Sequence, residues 1–114
     1  MIVKKISDVP TKPADMEGAE KVNMRLLLAE DDGATNFRMR LFEVEKGGCS
    51  PYHTHDYEHE VLILEGKGEL KGKTKQYPLR KGDVAFVVPN EEHQFRNVGE
   101  TILKFICLIP IEKK

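Results

Sequence analysis

No stretch of 12 or more residues in this 114-residue chain keeps a helical period of apolar residues between recognisable caps. That restricts the fold more than any other feature, because an amphipathic helix needs such a run. What recurs instead is short runs rich in Val, Ile, Leu and Phe, interrupted by Gly, Pro, Asn or Asp. The chain therefore reads as all-β. At this length it forms one domain, which should bury roughly two-thirds of the surface its unfolded chain exposes.

In order, Ile2 to Ile6 reads as a first short strand. SDVPTKPADMEG follows as a loop or arm, since it carries two prolines and no periodicity. Residues 1–21 thus make an N-terminal strand and arm, with two readings open: an element swapped between two subunits, or an edge strand folded onto its own sheet. Residues 22–114 make the main domain. Val22 to Ala29 alternates Val22, Met24, Leu26 and Leu28 against Asn23, Arg25 and Leu27, and Phe37 to Glu45 is a second long strand. Glu43 and Glu45 beside the Gly47-Gly48 turn should face water, which turns Val44, Phe42 and Arg40 inward.

Val61 to Leu64 reads as a nearly continuous apolar strand ending at Gly66 and Val84 to Val88 as a buried strand, and a hairpin with Gly72 at its tip lies between them. In the last strand, Leu103, Phe105, Cys107 and Ile109 face in if Lys104 faces out. An inward Arg40 is costly unless it meets an anion. It either anchors a carboxylate or enolate, or stretches along apolar neighbours to put its head in water.

Three of the four histidines fall in GGCSPYHTHDYEHEVLILEG, at His53, His55 and His59, and the fourth is His93. Side chains two apart on a strand share a face, so His53 and His55 point together, and His59 has the same parity. Three imidazoles from one stretch and one from a distant strand suit a single metal ion better than they suit packing. Imidazole takes iron, nickel, copper or zinc, and four neutral ligands leave the full charge on the ion, a strong Lewis acid for anionic co-ligands. A closed structural zinc is the rival arrangement, but such sites usually rely on thiolates.

Charged residues make up 32% of the chain, hydrophobic residues 39%, and the net charge is -1, so no field attracts nucleic acid or an anionic membrane. Lysines crowd residues 67–81, but Glu65, Glu69 and Asp83 interrupt them without an aromatic platform, as on a solvated edge. No apolar run is long enough for a bilayer span or a secretion signal. The expectation is a cytoplasmic protein in which Cys49 and Cys107 are free thiols.

Residues 47–66 and 82–97 resemble the two motifs of the cupin superfamily. The first motif runs glycine, five residues, His-x-His, three or four residues, Glu, six residues, glycine. Here it reads Gly47, GCSPY, His53-Thr54-His55, DYE, His59, EVLILE, Gly66. His59 stands where most cupins carry a glutamate ligand, as in the four-histidine subgroup. Glu60, one residue on and of opposite parity, is the alternative ligand. The second motif appears as Gly82, DVAFVV, Pro89-Asn-Glu-Glu-His93, QFR, Asn97, with one extra residue before the proline and without the usual glycine.

The resemblance implies a jelly-roll β-barrel of two packed antiparallel sheets, commonly a homodimer, with one divalent ion, manganese or iron first, in the barrel mouth. It implies a small-molecule substrate but not which reaction. On parity, Arg40, Phe42, Phe105, Cys107 and Ile109 join the ligands around the pocket, and Tyr52 and Tyr57 flank it. Cys107 is either an oxidisable neighbour of the ion or a small buried hydrophobe. Oxygenase chemistry on an anionic, diketone-like or phenol-like substrate is the first expectation. An isomerase or decarboxylase would need a base from Glu60, Tyr52 or Tyr57. A non-catalytic binding module is the third.

Overall fold

The computed structural model describes residues 1–14 and 16–112. Nine strands account for the architecture: β1 (Lys12–Pro13), β2 (Glu20–Leu28), β3 (Phe37–Cys49), β4 (His59–Glu65), β5 (Lys67–Lys71), β6 (Gln76–Arg80), β7 (Val84–Val87), β8 (Gln94–Asn97) and β9 (Leu103–Pro110). The only helical turns among the described residues are two 3-10 turns, Ile6–Asp8 and Glu30–Asp32. No helix among them is long and apolar enough to cross a membrane.

All pairings are antiparallel, in the order β6-β5-β8-β3-β9-β4-β7, with β2 also on β3 and β1 on β2. The expected barrel of packed antiparallel layers forms. Hydrogen bonding runs through it without a break because β3 belongs to both layers: it pairs with β9 over Phe37 to Val44 and reaches β8 through Cys49. The strand changes partner just beyond Gly47, whose φ of +80° is open to glycine.

The core lies between the layers. Val44 and Leu103 are fully buried, and Ile63, Val61, Phe105, Cys107 and Phe95 close around them. The inward parity of Phe42, Val44, Leu103, Phe105, Cys107 and Ile109 is as the alternation required. Asn97, the asparagine of the second motif, pins β8 to β3: its Nδ2 donates to Val44 O and Thr101 O, both at 2.9 Å, and its Oδ1 accepts from Gly99 N.

Three local expectations are corrected. Residues 2–6 form no strand. They lead into the 3-10 turn, and the first paired segment is β1, where Lys12 lies opposite Met24. Arg25 holds this N-terminal stretch by donating to Val9 O at 2.6 Å and Ile6 O at 3.4 Å. The alternation of β2 fails near its end, where a bulge between Leu26 and Leu28 leaves Leu26 exposed and Leu27 buried. Leu27 is covered because Val9 and Leu41 make a second small core on the outer face.

The third correction concerns β7, whose apolar run suggested a buried strand. Val84 is 77% and Phe86 53% exposed, and only Ala85 and Val87, on the other face, pack inward. β7 sits at the end of the sheet, paired on one side with β4, and nothing among the described residues covers its outer face.

Candidate metal centre

The four histidines reach one place by different routes. His59 opens β4 and faces in with Val61 and Ile63. His53 and His93 form an isolated antiparallel bridge, each main-chain N–H donating to the other's carbonyl, at 3.2 and 3.1 Å. The corner that delivers His93 lacks the motif's glycine, and Asn90 takes the left-handed conformation there with φ +68°. Asparagine tolerates that region better than most residues. Its N–H also donates to His55 O at 2.6 Å, which ties the second motif to the first.

Ring centroids of the four imidazoles lie 4.2 to 6.0 Å apart in the pairs that touch. His53 Nδ1 is 2.7 Å from Pro51 O and His93 Nδ1 is 2.9 Å from Glu91 O. A carbonyl only accepts, so each Nδ1 carries a hydrogen, and in the neutral ring that leaves the lone pair on Nε2. The Nε2 atoms of His53 and His55 are 2.5 Å apart. His59 Nδ1 is buried with no hydrogen-bond partner.

Burial holds the His55 pKa down at about 4 and the His59 pKa at about 3, with neighbouring imidazoles and Arg40 acting in the same direction. Burial also lowers that of His93. These three rings are therefore neutral at pH 7, the state that binds a metal. Among the described residues, no group of three or more His, Cys, Asp or Glu side chains is spaced as a ready-made ion cage. The rings stand around one cavity without closing on a point. The donor types and tautomers fit a divalent ion, and the orphaned His59 nitrogen is the kind of atom such an ion would satisfy.

The cavity measures about 40 Å³ and is bounded by the four histidines, Arg40, Phe42 and Phe105. A single water needs roughly 10–15 Å³ on such a measure, so there is room for an ion with a small co-ligand. Phe105 forms the floor, stacked between Phe42 at 5.4 Å and Phe95 at 4.7 Å. Arg40 is turned inward: its Cζ lies 4.8 Å from the Phe42 ring centroid, Nη2 is 3.2 Å from Cys107 Sγ, and Nε is buried without a partner.

Other expected pocket residues lie elsewhere. Cys107 is buried in the core behind Arg40, and burial pushes its thiol pKa up, so it stays a protonated thiol. Ile109 is core as well. Tyr52 is on the surface and donates to Glu92 Oε2 at 2.8 Å. Glu60 is exposed, opposite Phe86 in the β4–β7 ladder, on the face away from His59.

Met16, Ser50 and Phe95 line the cavity although the sequence reading did not name them for it. Phe95 had a signal, since it shares parity with His93. Met16 comes from an aperiodic loop and had none. Tyr57 stacks flat on His55, with centroids 4.7 Å apart and planes 7° apart.

A family model described as a cupin domain matches residues 40–109. The chain belongs to the cupin family. An oxalate-binding protein from Thermotoga maritima is 32% identical over 96% of this chain and 93% of its own. Quercetin 2,3-dioxygenase from Bacillus subtilis is 36% identical over 53% of this cupin, but the match covers only 18% of that enzyme. Among solved structures, the polyketide cyclase RemF from Streptomyces resistomycificus superposes with a TM-score of 0.93 at 29% identity, over 98% of this chain and 80% of its own. Cupins similar to this one thus span binding, oxygenation and cyclisation.

Proposed function

We propose that this cupin is a metal-dependent oxidoreductase of the oxygenase type. His53, His55, His59 and His93 hold one divalent ion, manganese or iron before nickel, copper or zinc. The substrate is a small anion, diketone or phenol that chelates through oxygen. The observation that carries the reading is the four-imidazole cluster, with His55, His59 and His93 held neutral at pH 7, facing an inward guanidinium whose Nε has no partner. When bound, the ion would supply Lewis acidity and a place for oxygen chemistry.

The chain's own groups do the rest. Arg40 holds the negative charge of the bound oxyanion, in surroundings where a hydrogen bond to a charged group is strong. Phe42, Phe95 and Phe105 keep the floor dry. Proton transfer finds little help: Tyr52 and Glu60 lie outside the cavity, and burial raises the pKa of Tyr57. That favours oxygenation over an isomerase or decarboxylase, which would need a base within reach.

A second reading is a non-catalytic binding module. The oxalate-binding relative, which aligns over nearly the whole chain, and the 40 Å³ cavity support it. The test is metal-loaded protein given oxalate, keto acids, diketones and phenols, scored for oxygen consumption and for binding. Consumption with a diketone or phenol supports the oxygenase. Binding without consumption or product across the panel leaves the module. Elemental analysis of protein purified without added metal identifies the ion, and protein that takes up no divalent metal sinks both readings.

A further inference from the structure

The four imidazoles are not held alike. His53 and His93 are fixed twice, by the main-chain bridge between them and by Nδ1–H bonds to Pro51 O and Glu91 O. His55 and His59 have no Nδ1 hydrogen bond to any described residue, and that of His59 is buried and bare. An unanchored imidazole on a corner is free to turn about its Cβ–Cγ bond, because that torsion is broad. His55 touches the anchored His53 only through Nε2, 2.5 Å from His53 Nε2, and the flat face that meets its ring plane is that of Tyr57, two residues on, stacked almost parallel at 4.7 Å. The same ring lies 5.3 Å from that of His59 at 36°.

We infer that Tyr57 is the positioning residue of this centre: its flat face, in place of the hydrogen bonds the other two histidines have, sets the planes of His55 and His59. The centre therefore has a rigid half, His53 with His93, and a pliant half, His55 with His59. Metal affinity therefore depends on the Tyr57 face through these two rings. The functional consequence rests on the metal reading above, whereas the geometry does not.

The experiment separates the two. In metal-free protein, ring resonances of the four histidines are compared by NMR in the wild type, Tyr57→Phe and Tyr57→Leu. Leucine fills the space without a flat face. The stack predicts His55 signals displaced by the aromatic ring current in the wild type and Tyr57→Phe but not in Tyr57→Leu, with His53 and His93 unmoved in all three. Cobalt(II) is then titrated as a probe. Tyr57→Phe should bind within about 3-fold of the wild type, while Tyr57→Leu should lose about 10- to 100-fold, the usual effect of removing a group that orients a ligand, with an altered visible spectrum.

Undisplaced His55 signals in the wild type overturn the inference. So does a Tyr57→Phe variant that loses as much cobalt affinity as Tyr57→Leu, because the hydroxyl and not the face would then matter, and so does cobalt binding by Tyr57→Leu with wild-type affinity and spectrum. A wild type that shows the ring-current shift but binds no cobalt keeps Tyr57 as the residue that orients His55 and removes the metal reading alone.

Discussion

His53 and His93, 40 residues apart in sequence, are joined main chain to main chain, each N–H donating to the other's carbonyl. That bridge fixes the two motifs at one distance, so the imidazoles approach without either loop having to move. The side chains of this half are set before any ligand arrives, as a site on rigid elements should be.

Removing one ligand should be distinguishable from removing its neighbour. His59→Ala should purify with metal content reduced to a minor fraction of the wild type, while Glu60→Ala, altered on the outer face, should stay close to full occupancy. Equal metal content in the two variants, by elemental analysis, would show that His59 is not a ligand.

Arg40→Met keeps the length and apolar contacts of the side chain and removes its charge. Metal occupancy should be unchanged. Affinity for oxalate or a keto acid should fall by about 10- to 100-fold, corresponding to the roughly 1.5–3 kcal/mol of a hydrogen bond to a charged group. Calorimetric titration reads this directly, and an unaltered dissociation constant would remove Arg40 from the binding site.

The metal-free protein should lose stability as the pH falls. His59 has a folded-state pKa of about 3 and His55 of about 4, both below the ordinary value of 6.5. Below pH 6.5 the unfolded chain therefore takes up protons that the folded chain refuses. Stability contributed by these groups is complete above pH 6.5, declines between pH 6.5 and about 4, and declines further towards 3. Urea melts at several pH values check it, and a midpoint unchanged from pH 7 to 5 would contradict the burial of these rings.

Two motif glycines with similar backbone angles should respond differently to alanine. Gly82 has φ +91° and nothing within 4 Å of an added Cβ, so only the backbone strain of about 1–2 kcal/mol applies. At Gly66, φ +88°, the added Cβ would collide with Ile102 O and lie 2.9 Å from Leu103 Cα. Gly66→Ala should therefore unfold at clearly lower denaturant than Gly82→Ala. Equal midpoints would mean that β9 can shift at no cost.

A cavity in the core gives the scale for comparison. Ile63 is 1% exposed, and Ile63→Ala should cost about 2–5 kcal/mol, measured by the same urea melts.

The sequence by itself determined the strand class, the inward faces of β3, β4 and β9, and the grouping of His53, His55, His59 and His93. Each follows from a period-two pattern or from residue chemistry that holds whatever the neighbours are. Tertiary structure decided what depends on which surfaces get covered. Leu27 is buried because Val9 lies over it, whereas Phe86 is exposed because β7 ends the sheet. Alternation says which side a residue faces and cannot say whether anything lies on that side. Tyr52 and Tyr57 show the same limit: both flank the ligands in sequence, but a corner whose course no periodicity encodes sends one to Glu92 at the surface and lays the other flat on His55.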